Sequence, residues 1–282
     1  MRVYITGIKG QLGRALARQW APWAEVSGGD LPEVSITDPA AITAAIREFR
    51  PDTVIHCAAM TDVDGCARDP DLALRVNGMG TQNVAIACQE IGAVLVHIST
   101  NEVFSGMDTH AYQEFDQLDP INPYGRSKAV AEWYVRHLLN RFYIVRPAWL
   151  YAADGWNFIH AIQNAADKHN SLRVVIDEVG NPTYVEDLAA AIIQLVDTGR
   201  YGVYHLVNEG ACSRHSFAAK ILELTGREQV PITPIVQAQW PRESTPPAYA
   251  PLENVCAAAL GIRLRPWEEA LVEYLVGNGR RP

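Results

Sequence analysis

Tyr124 and Lys128 stand four residues apart in the segment Asn122-Pro123-Tyr124-Gly125-Arg126-Ser127-Lys128. Asn122 suits a helix N-cap and Pro123 the first helical position. The spacing then puts a phenol and an ammonium on one helical face, where both can point into one cleft. A free phenol has a pKa near ~10 and carries protons poorly at neutral pH. A neighbouring ammonium, together with a positive oxidised nicotinamide, favours the phenolate and lowers that pKa. Such a pair can hand a proton to a carbonyl oxygen while the carbon is reduced. Thr100 closes the apolar run Ala93 to Ser99, and its hydroxyl can bind the same oxygen or the developing alkoxide.

The partner for that chemistry is written at the start of the chain. Gly7-Ile8-Lys9-Gly10-Gln11-Leu12-Gly13 follows a strand pattern and opens a helix pattern. Glycine at Gly7, Gly10 and Gly13 keeps the turn tight, lets backbone approach a pyrophosphate, and lets helix pack on strand. The helix start offers free N–H groups and a partial positive charge to the phosphates. The chain is therefore expected to bind NAD(H) or NADP(H). Asp30 lies about twenty residues past the glycines, where a carboxylate can hold an adenosine ribose diol. It reads equally well as a turn residue beside Gly28-Gly29. No Arg or Lys occurs between Glu25 and Ile46, which leaves Arg14 as the candidate for a 2′-phosphate and tilts the reading toward NAD(H).

The elements that must position these groups alternate. Val3 to Thr6, Glu25 to Gly28, Thr53 to Cys57, Ala93 to Ser99 and Phe142 to Arg146 read as strands. Leu12 to Trp20, Pro39 to Phe49, a stretch within Asp71 to Glu90, and Pro123 to Leu139 read as helices. Runs such as Val94-Leu95-Val96-His97-Ile98 lack alternation, as strands covered on both faces do. The order predicts an α/β fold, a doubly wound parallel (Rossmann) sheet with a smaller C-terminal substrate lobe. Residues 1–148 form the dinucleotide-binding domain, with a return segment about 183–207 that includes a helix from Tyr184 to Val196. Residues 149–182 and 208–282 form the lobe.

Composition narrows the partners. The 282 residues carry a net charge of −8 and no cluster of Lys or Arg, so nucleic acid is not an expected ligand. No apolar run is long enough to span a bilayer, and no signal peptide is expected before the first strand. Cys57, Cys66, Cys88, Cys212 and Cys256 are scattered and read as reduced thiols, which suits the cytoplasm. The eight histidines show no metal-ligand spacing, so no metal is expected, and His97 reads as a satisfied core residue.

Taken together, the chain resembles the extended short-chain dehydrogenases, and within them the dTDP-4-dehydrorhamnose reductases. The resemblance covers nearly the whole chain. It rests on Thr6-Gly7 through Gly13, on Arg50-Pro51-Asp52 through Asp64, on His97-Ile98-Ser99-Thr100-Asn101-Glu102-Val103-Phe104, and on Pro120 through Gly125. Arg146-Pro147-Ala148-Trp149-Leu150-Tyr151, Asp177 through Tyr184 and Arg265 through Leu271 are its more specific parts. It implies a catalytic set of Thr100, Tyr124 and Lys128. It implies cofactor contacts from Gly10, Gln11 and Leu12, from Ser35 and Ile36 beside the adenine, and from Ala58, Ala59 and Met60. Lys128 can also hold the nicotinamide ribose. Substrate contacts are implied at Thr100, Asn101 and Trp149, the indole being able to stack on a sugar or base. The implied reaction is reduction of the 4-keto group of a nucleotide-linked 6-deoxysugar by NAD(P)H, and the implied assembly a homodimer.

The chain departs from that family's usual Thr-Asp-Tyr with Thr100-Asn101-Glu102, and from its acidic residue beside the adenine with Ser35. Two other readings stay open at this point. One is a nucleotide-sugar dehydratase or epimerase of the same superfamily, for which Glu102 is present but Asn101 lacks the carboxyl's exchangeable proton. The other is a cofactor-binding regulatory subunit without turnover.

Overall fold

The apolar runs pair as one parallel sheet. In chain order its strands are β1 (Arg2–Thr6), β2 (Glu25–Gly29), β3 (Thr53–His56), β4 (Val94–Ile98), β5 (Phe142–Arg146) and β6 (Gly202–His205). The computed structural model describes residues 1–277. Across the sheet the order is β6-β5-β4-β3-β1-β2. The chain thus steps from β1 to one edge and then resumes on the other side of β1. This reversal leaves a crevice at the carboxyl ends of β1 and β3, the place where open sheets of this kind take ligands. Thr6 sits opposite both Gly29 and His56 at that end.

Helices cover both faces. α1 (Gln11–Trp20) and α5 (Val185–Asp197) bury Leu16 and Ile192 against Val3, Ile5 and Val96. On the opposite face α2 (Pro39–Phe49), α3 (Gly80–Ile91) and α4 (Pro123–Leu138) bury Ile46, Val84 and Val135 against Val54 and Leu95. Each such side chain contributes about 1.5–3 kcal/mol by leaving water. Asp38 caps α2 by accepting from the Ala40 and Ala41 amides, worth about 1 kcal/mol. The doubly wound α/β fold expected from the alternation is the one observed.

The helix expected somewhere within Asp71 to Glu90 is present as α3 (Gly80–Ile91), and helical turns precede it without a break from Pro70. Short helices at Val63–Arg68 and Pro70–Ala73 lead into a π-helical turn, Leu74–Met79, before α3 begins. The widened turn aims Asn77 at the loop after β3. Its amide bonds both the N–H and the carbonyl of Met60, at 2.8 and 3.1 Å, and donates to Ser127 Oγ at 2.9 Å. A regular helical period does not anticipate that demand.

A second core lies beyond β5. Helices Phe158–Lys168, Arg214–Leu224 and Trp267–Gly277 pack around Tyr151, Phe217 and Tyr274. Short pairs stitch this part together, Cys212–Ser213 with Val179–Gly180 and Ile232–Ile235 with Leu172–Val175. Ala257, Ile262 and Leu264, expected in the lobe, instead join the main core, because the helix Val255–Ala259 packs against β6. No helix among the described residues is long and apolar enough to cross a membrane. All five cysteines are unpaired thiols.

Candidate active site

Gly7 turns the chain after β1 with φ at 70°. A Cβ there would stand 2.7 Å from the Ala58 amide nitrogen, and one on Gly13 2.3 Å from the Gly7 carbonyl oxygen. Strand, turn and helix approach too closely for any side chain. Gly10 is the N-cap of α1 and brings no side chain to its open N–H groups, which leaves them to an anion. A cleft of about 710 Å³ opens at this turn. Gly7, Gly10, Gln11, Leu12 and Gly13 form its floor, with Asp30, Ser35, Ile36, Ala58 and Ala59 along the walls. Met60 is not among the lining residues. Its backbone is held by Asn77, and its side chain packs with Cys66, Ala73 and Tyr124.

Asp30 turns out to be both a turn residue and a cleft residue. Its carboxylate accepts from the Lys9 amide at 2.9 Å and the Leu31 amide at 2.8 Å. Arg14, the expected partner of a 2′-phosphate, does not line the cleft. Its guanidinium donates to the Lys9 carbonyl and faces Asp154. The cation beside Asp30 is instead Lys9, whose ammonium reaches the Leu31 carbonyl at 3.3 Å and Glu33 at 2.8 Å. The backbone cradle, the helix start and the carboxylate together fit an adenine dinucleotide.

The other end of the cleft holds Thr100, Tyr124 and Lys128. Asn122 caps α4 by accepting from the Gly125 amide at 2.8 Å, which fixes the first turn and with it Tyr124. Thr100 ends β4. Its Oγ1 accepts from the Glu102 amide at 3.2 Å and donates to Asn101 Oδ1 at 3.4 Å. Lys128 Nζ donates to the Ile98 carbonyl at 2.5 Å. The structure thus gathers all three groups in the cleft that begins at the glycine turn.

Among the protein's own groups the ammonium does not produce the expected lowering of the Tyr124 phenol. Burial raises its pKa, the nearby Glu102 carboxyl raises it further, and the Thr100 hydroxyl opposes them only in part. Lys128 points at a carbonyl instead. Burial brings its own pKa down to about 8, although Glu132 pulls the other way. At neutral pH the phenol is therefore protonated and the amine charged, the forms needed to give a proton to a carbonyl oxygen.

A buried network backs this end. Burial alone would raise the Glu132 carboxyl, but bonds from Arg146 at 2.8 and 2.7 Å and from Ser99 at 2.6 Å hold it below its usual range. Glu132 is one helical turn past Lys128, and Ser99 precedes Thr100. His56 bridges Thr6 and Thr81, at 2.7 and 2.9 Å, and burial drops its pKa to about 3. His97 is buried as expected but not satisfied. Neither ring nitrogen has a hydrogen-bond partner, its ring lies 5.4 Å from that of His56, and burial keeps it neutral. Among the described residues no cluster of His, Cys, Asp or Glu could hold a metal ion.

On the lobe side, Trp149 lines the cleft with φ at 44°. Its indole packs on Gly180, and the Arg214 guanidinium lies 3.5 Å over its ring. Arg214 also pairs with Glu178 at 2.7 Å. Asn101 is buried, and its amide donates to the Ala250 carbonyl at 3.1 Å. Arg214 and Trp156 also line the cleft, and the sequence reading gave them no role; Glu102, which that reading noted only for the dehydratase alternative, lines it too. Arg214 carried no local signal, because the pairing of Cys212–Ser213 with Val179–Gly180 is what brings it to the cleft.

Comparison with known proteins supplies the lineage. The chain is 38% identical to the spore coat polysaccharide biosynthesis protein SpsK of Bacillus subtilis, covering 97% of this chain and 96% of that one. It is 38% identical to a dTDP-4-dehydrorhamnose reductase of Mycobacterium tuberculosis, covering 97% and 92%. The crystal structure of dTDP-4-dehydrorhamnose reductase from Bacillus anthracis in complex with NADP superposes with a TM-score of 0.94 at 36% identity, over 98% of this chain and 99% of that one. The family model described as the RmlD substrate binding domain matches residues 1–278. Fold, glycine turn and whole-length similarity agree, and the chain belongs to the RmlD family of dTDP-4-dehydrorhamnose reductases within the extended short-chain dehydrogenases.

Proposed function

We propose that this protein is an NAD(P)H-dependent reductase of a nucleotide-linked 4-keto-6-deoxysugar. The observation that carries the reading is the convergence of Thr100, Tyr124 and Lys128 in the cleft that starts at the glycine turn. Relatives named for reduction of dTDP-4-dehydrorhamnose and of dTDP-4-keto-6-deoxy-D-glucose support the substrate class. A regulatory subunit has no need of a protonated buried phenol in that position.

The glycine turn and the start of α1 would hold the cofactor's pyrophosphate, with Asp30 at the adenosine ribose and Ser35 and Ile36 beside the adenine. Bound NADH or NADPH supplies the hydride. Asp30 favours NADH, and neither Arg14 nor Lys9 is among the cleft-lining residues. Thr100 Oγ1 positions the keto oxygen, and Tyr124 donates its proton as that oxygen gains charge. Lys128 holds the nicotinamide ribose, and its positive charge favours the phenolate left behind. Asn101 and Trp149 face the sugar, and the Arg214 guanidinium, fixed by Glu178 and Trp149, suits the substrate diphosphate. The reading assigns residues 1–148 and the return through α5 and β6 to the cofactor, and the remaining lobe to the nucleotide sugar. We infer a cytoplasmic enzyme, in keeping with five unpaired thiols, and a homodimer as its assembly.

The test is oxidation of NADH and NADPH, run in parallel, with dTDP-4-keto-6-deoxyhexose. One equivalent of cofactor consumed per sugar is expected. A tightly bound cofactor that returns to its starting state, with water lost from the sugar, would instead mark a dehydratase.

A further inference from the structure

Proton and hydride delivery leave one cleft carboxyl unused. Glu102 lies in the short turn Asn101–Val103, which Thr100 Oγ1 caps. The first turn of α4 is pressed against it: a Cβ on Gly125, the residue after Tyr124, would stand 2.0 Å from the Glu102 carbonyl oxygen. Carboxyl and phenol therefore ride on two abutting backbones, and both line the cleft. Asn122 Nδ2 donates to Glu102 Oε2 at 2.7 Å and fixes the carboxyl. The same Asn122 caps α4, so one side chain sets the positions of both groups. Among the described residues no hydrogen bond engages Oε1. Burial raises the carboxyl's proton affinity. The Asn122 bond, Arg214 and Arg242 oppose that, and Glu178 adds to it.

A ketone held at the Thr100 and Tyr124 hydroxyls has acidic C–H bonds on the carbons beside it, C3 and C5 of a 4-keto sugar. Hydroxyl donors at the ketone oxygen stabilise the enolate formed when such a proton leaves. The cleft thus combines an electrophilic hold on the oxygen with a carboxylate base next to it.

Resting on the reductase reading, we propose that Glu102 is a carbon base that gives the protein a second, hydride-independent activity: reversible exchange of a hydrogen next to the substrate's keto group, with epimerisation at that carbon where the returning proton takes the other face. The Glu102 carboxylate takes the proton. The C–H electron pair becomes the C=C bond, and the carbonyl π pair moves to oxygen, where Tyr124 and Thr100 hold it. Return of a proton from the carboxyl, after exchange with water, restores the ketone. Nothing is oxidised or reduced.

The experiment incubates the full chain with NADP⁺ and dTDP-4-keto-6-deoxy-D-glucose in D₂O and follows the C3 and C5 proton signals by NMR. One of them is expected to disappear at least about 10-fold faster than in protein-free buffer. Glu102→Gln, checked for folding by its NADPH binding, should lower the enzymatic rate about 100-fold, the usual scale for a positioned base. Glu102→Asp, which keeps the carboxyl, should exchange faster than Glu102→Gln. Wild-type exchange at the buffer rate, with NADPH-driven reduction intact, would overturn the proposal and leave the reductase reading standing. Wild-type exchange undiminished in a folded Glu102→Gln would overturn it too. Loss of both exchange and reduction in the wild type would remove the reductase reading itself.

Discussion

Replacing Gly125 with alanine adds one methyl group at the tightest contact of the candidate site. The new Cβ would stand 2.0 Å from the Glu102 carbonyl oxygen, whereas ordinary contact begins at 3.4 Å. The start of α4 must therefore move by about 1.4 Å, the difference of those two distances, or the turn after Thr100 must yield instead. Neither neighbour is a flexible tip, since one is helix backbone and the other a capped turn. A displacement near 1 Å at a reacting group costs on the order of 100-fold in rate. Tyr124 is the residue next to the insertion, so kcat for ketosugar reduction is expected to fall about 100-fold. The overpacking should cost about 1–3 kcal/mol of stability, read as a lower midpoint in urea. NADPH affinity should change little, because the glycine turn at the other end of the cleft is not touched. Steady-state kinetics and a fluorescence titration of NADPH measure both halves. A Gly125→Ala enzyme with wild-type kcat would refute the claim that this contact sets the phenol's position.

Three further outcomes follow from the same geometry. Tyr124→Phe should lose about 100- to 10,000-fold in turnover while still binding cofactor, and normal activity would exclude the phenol as proton donor. Activity should decline as pH rises through about 8, because Lys128 is charged below that value and neutral above it. Lys128→Met should be poorly active at every pH and lack that decline, and an unchanged profile would remove Lys128 from the account. Arg146→Met leaves the fully buried Glu132 charge with only the part-exposed Arg136, 3.3 Å away, as counter-ion, which should cost about 3–5 kcal/mol in a denaturation curve. A loss below about 1 kcal/mol would mean that the network behind Lys128 carries little of the fold.

The sheet was legible because its signal is local. Strands buried on both faces show as unbroken apolar runs, and glycines at a strand-to-helix turn show as spacing. Thr100, Tyr124 and Lys128 were legible for the same reason, each lying at a strand end or a helix start. What stayed hidden depends on contacts distant in sequence. The π-turn before α3 carries Asn77, which bonds Met60 and Ser127, and no periodicity within the segment records that. Arg214 enters the cleft through a strand pair, and Arg14 leaves it for Lys9 and Asp154. The phenol's proton affinity also escaped the one-dimensional reading. Burial and Glu102 outweigh a lysine that turns out to be bonded to Ile98. His97 was legible as buried, but its unpartnered ring nitrogens were not.

The central claim is that the groups at the far end of the cleft complete a hydride transfer to a sugar ketone. Its most direct test is a single turnover with NADPH carrying deuterium at the transferable position of the nicotinamide and dTDP-4-keto-6-deoxyhexose as acceptor. The account predicts one deuterium on the former keto carbon for each cofactor oxidised. Oxidised cofactor without label on that carbon, or no oxidation by a folded, cofactor-bound protein, would contradict it.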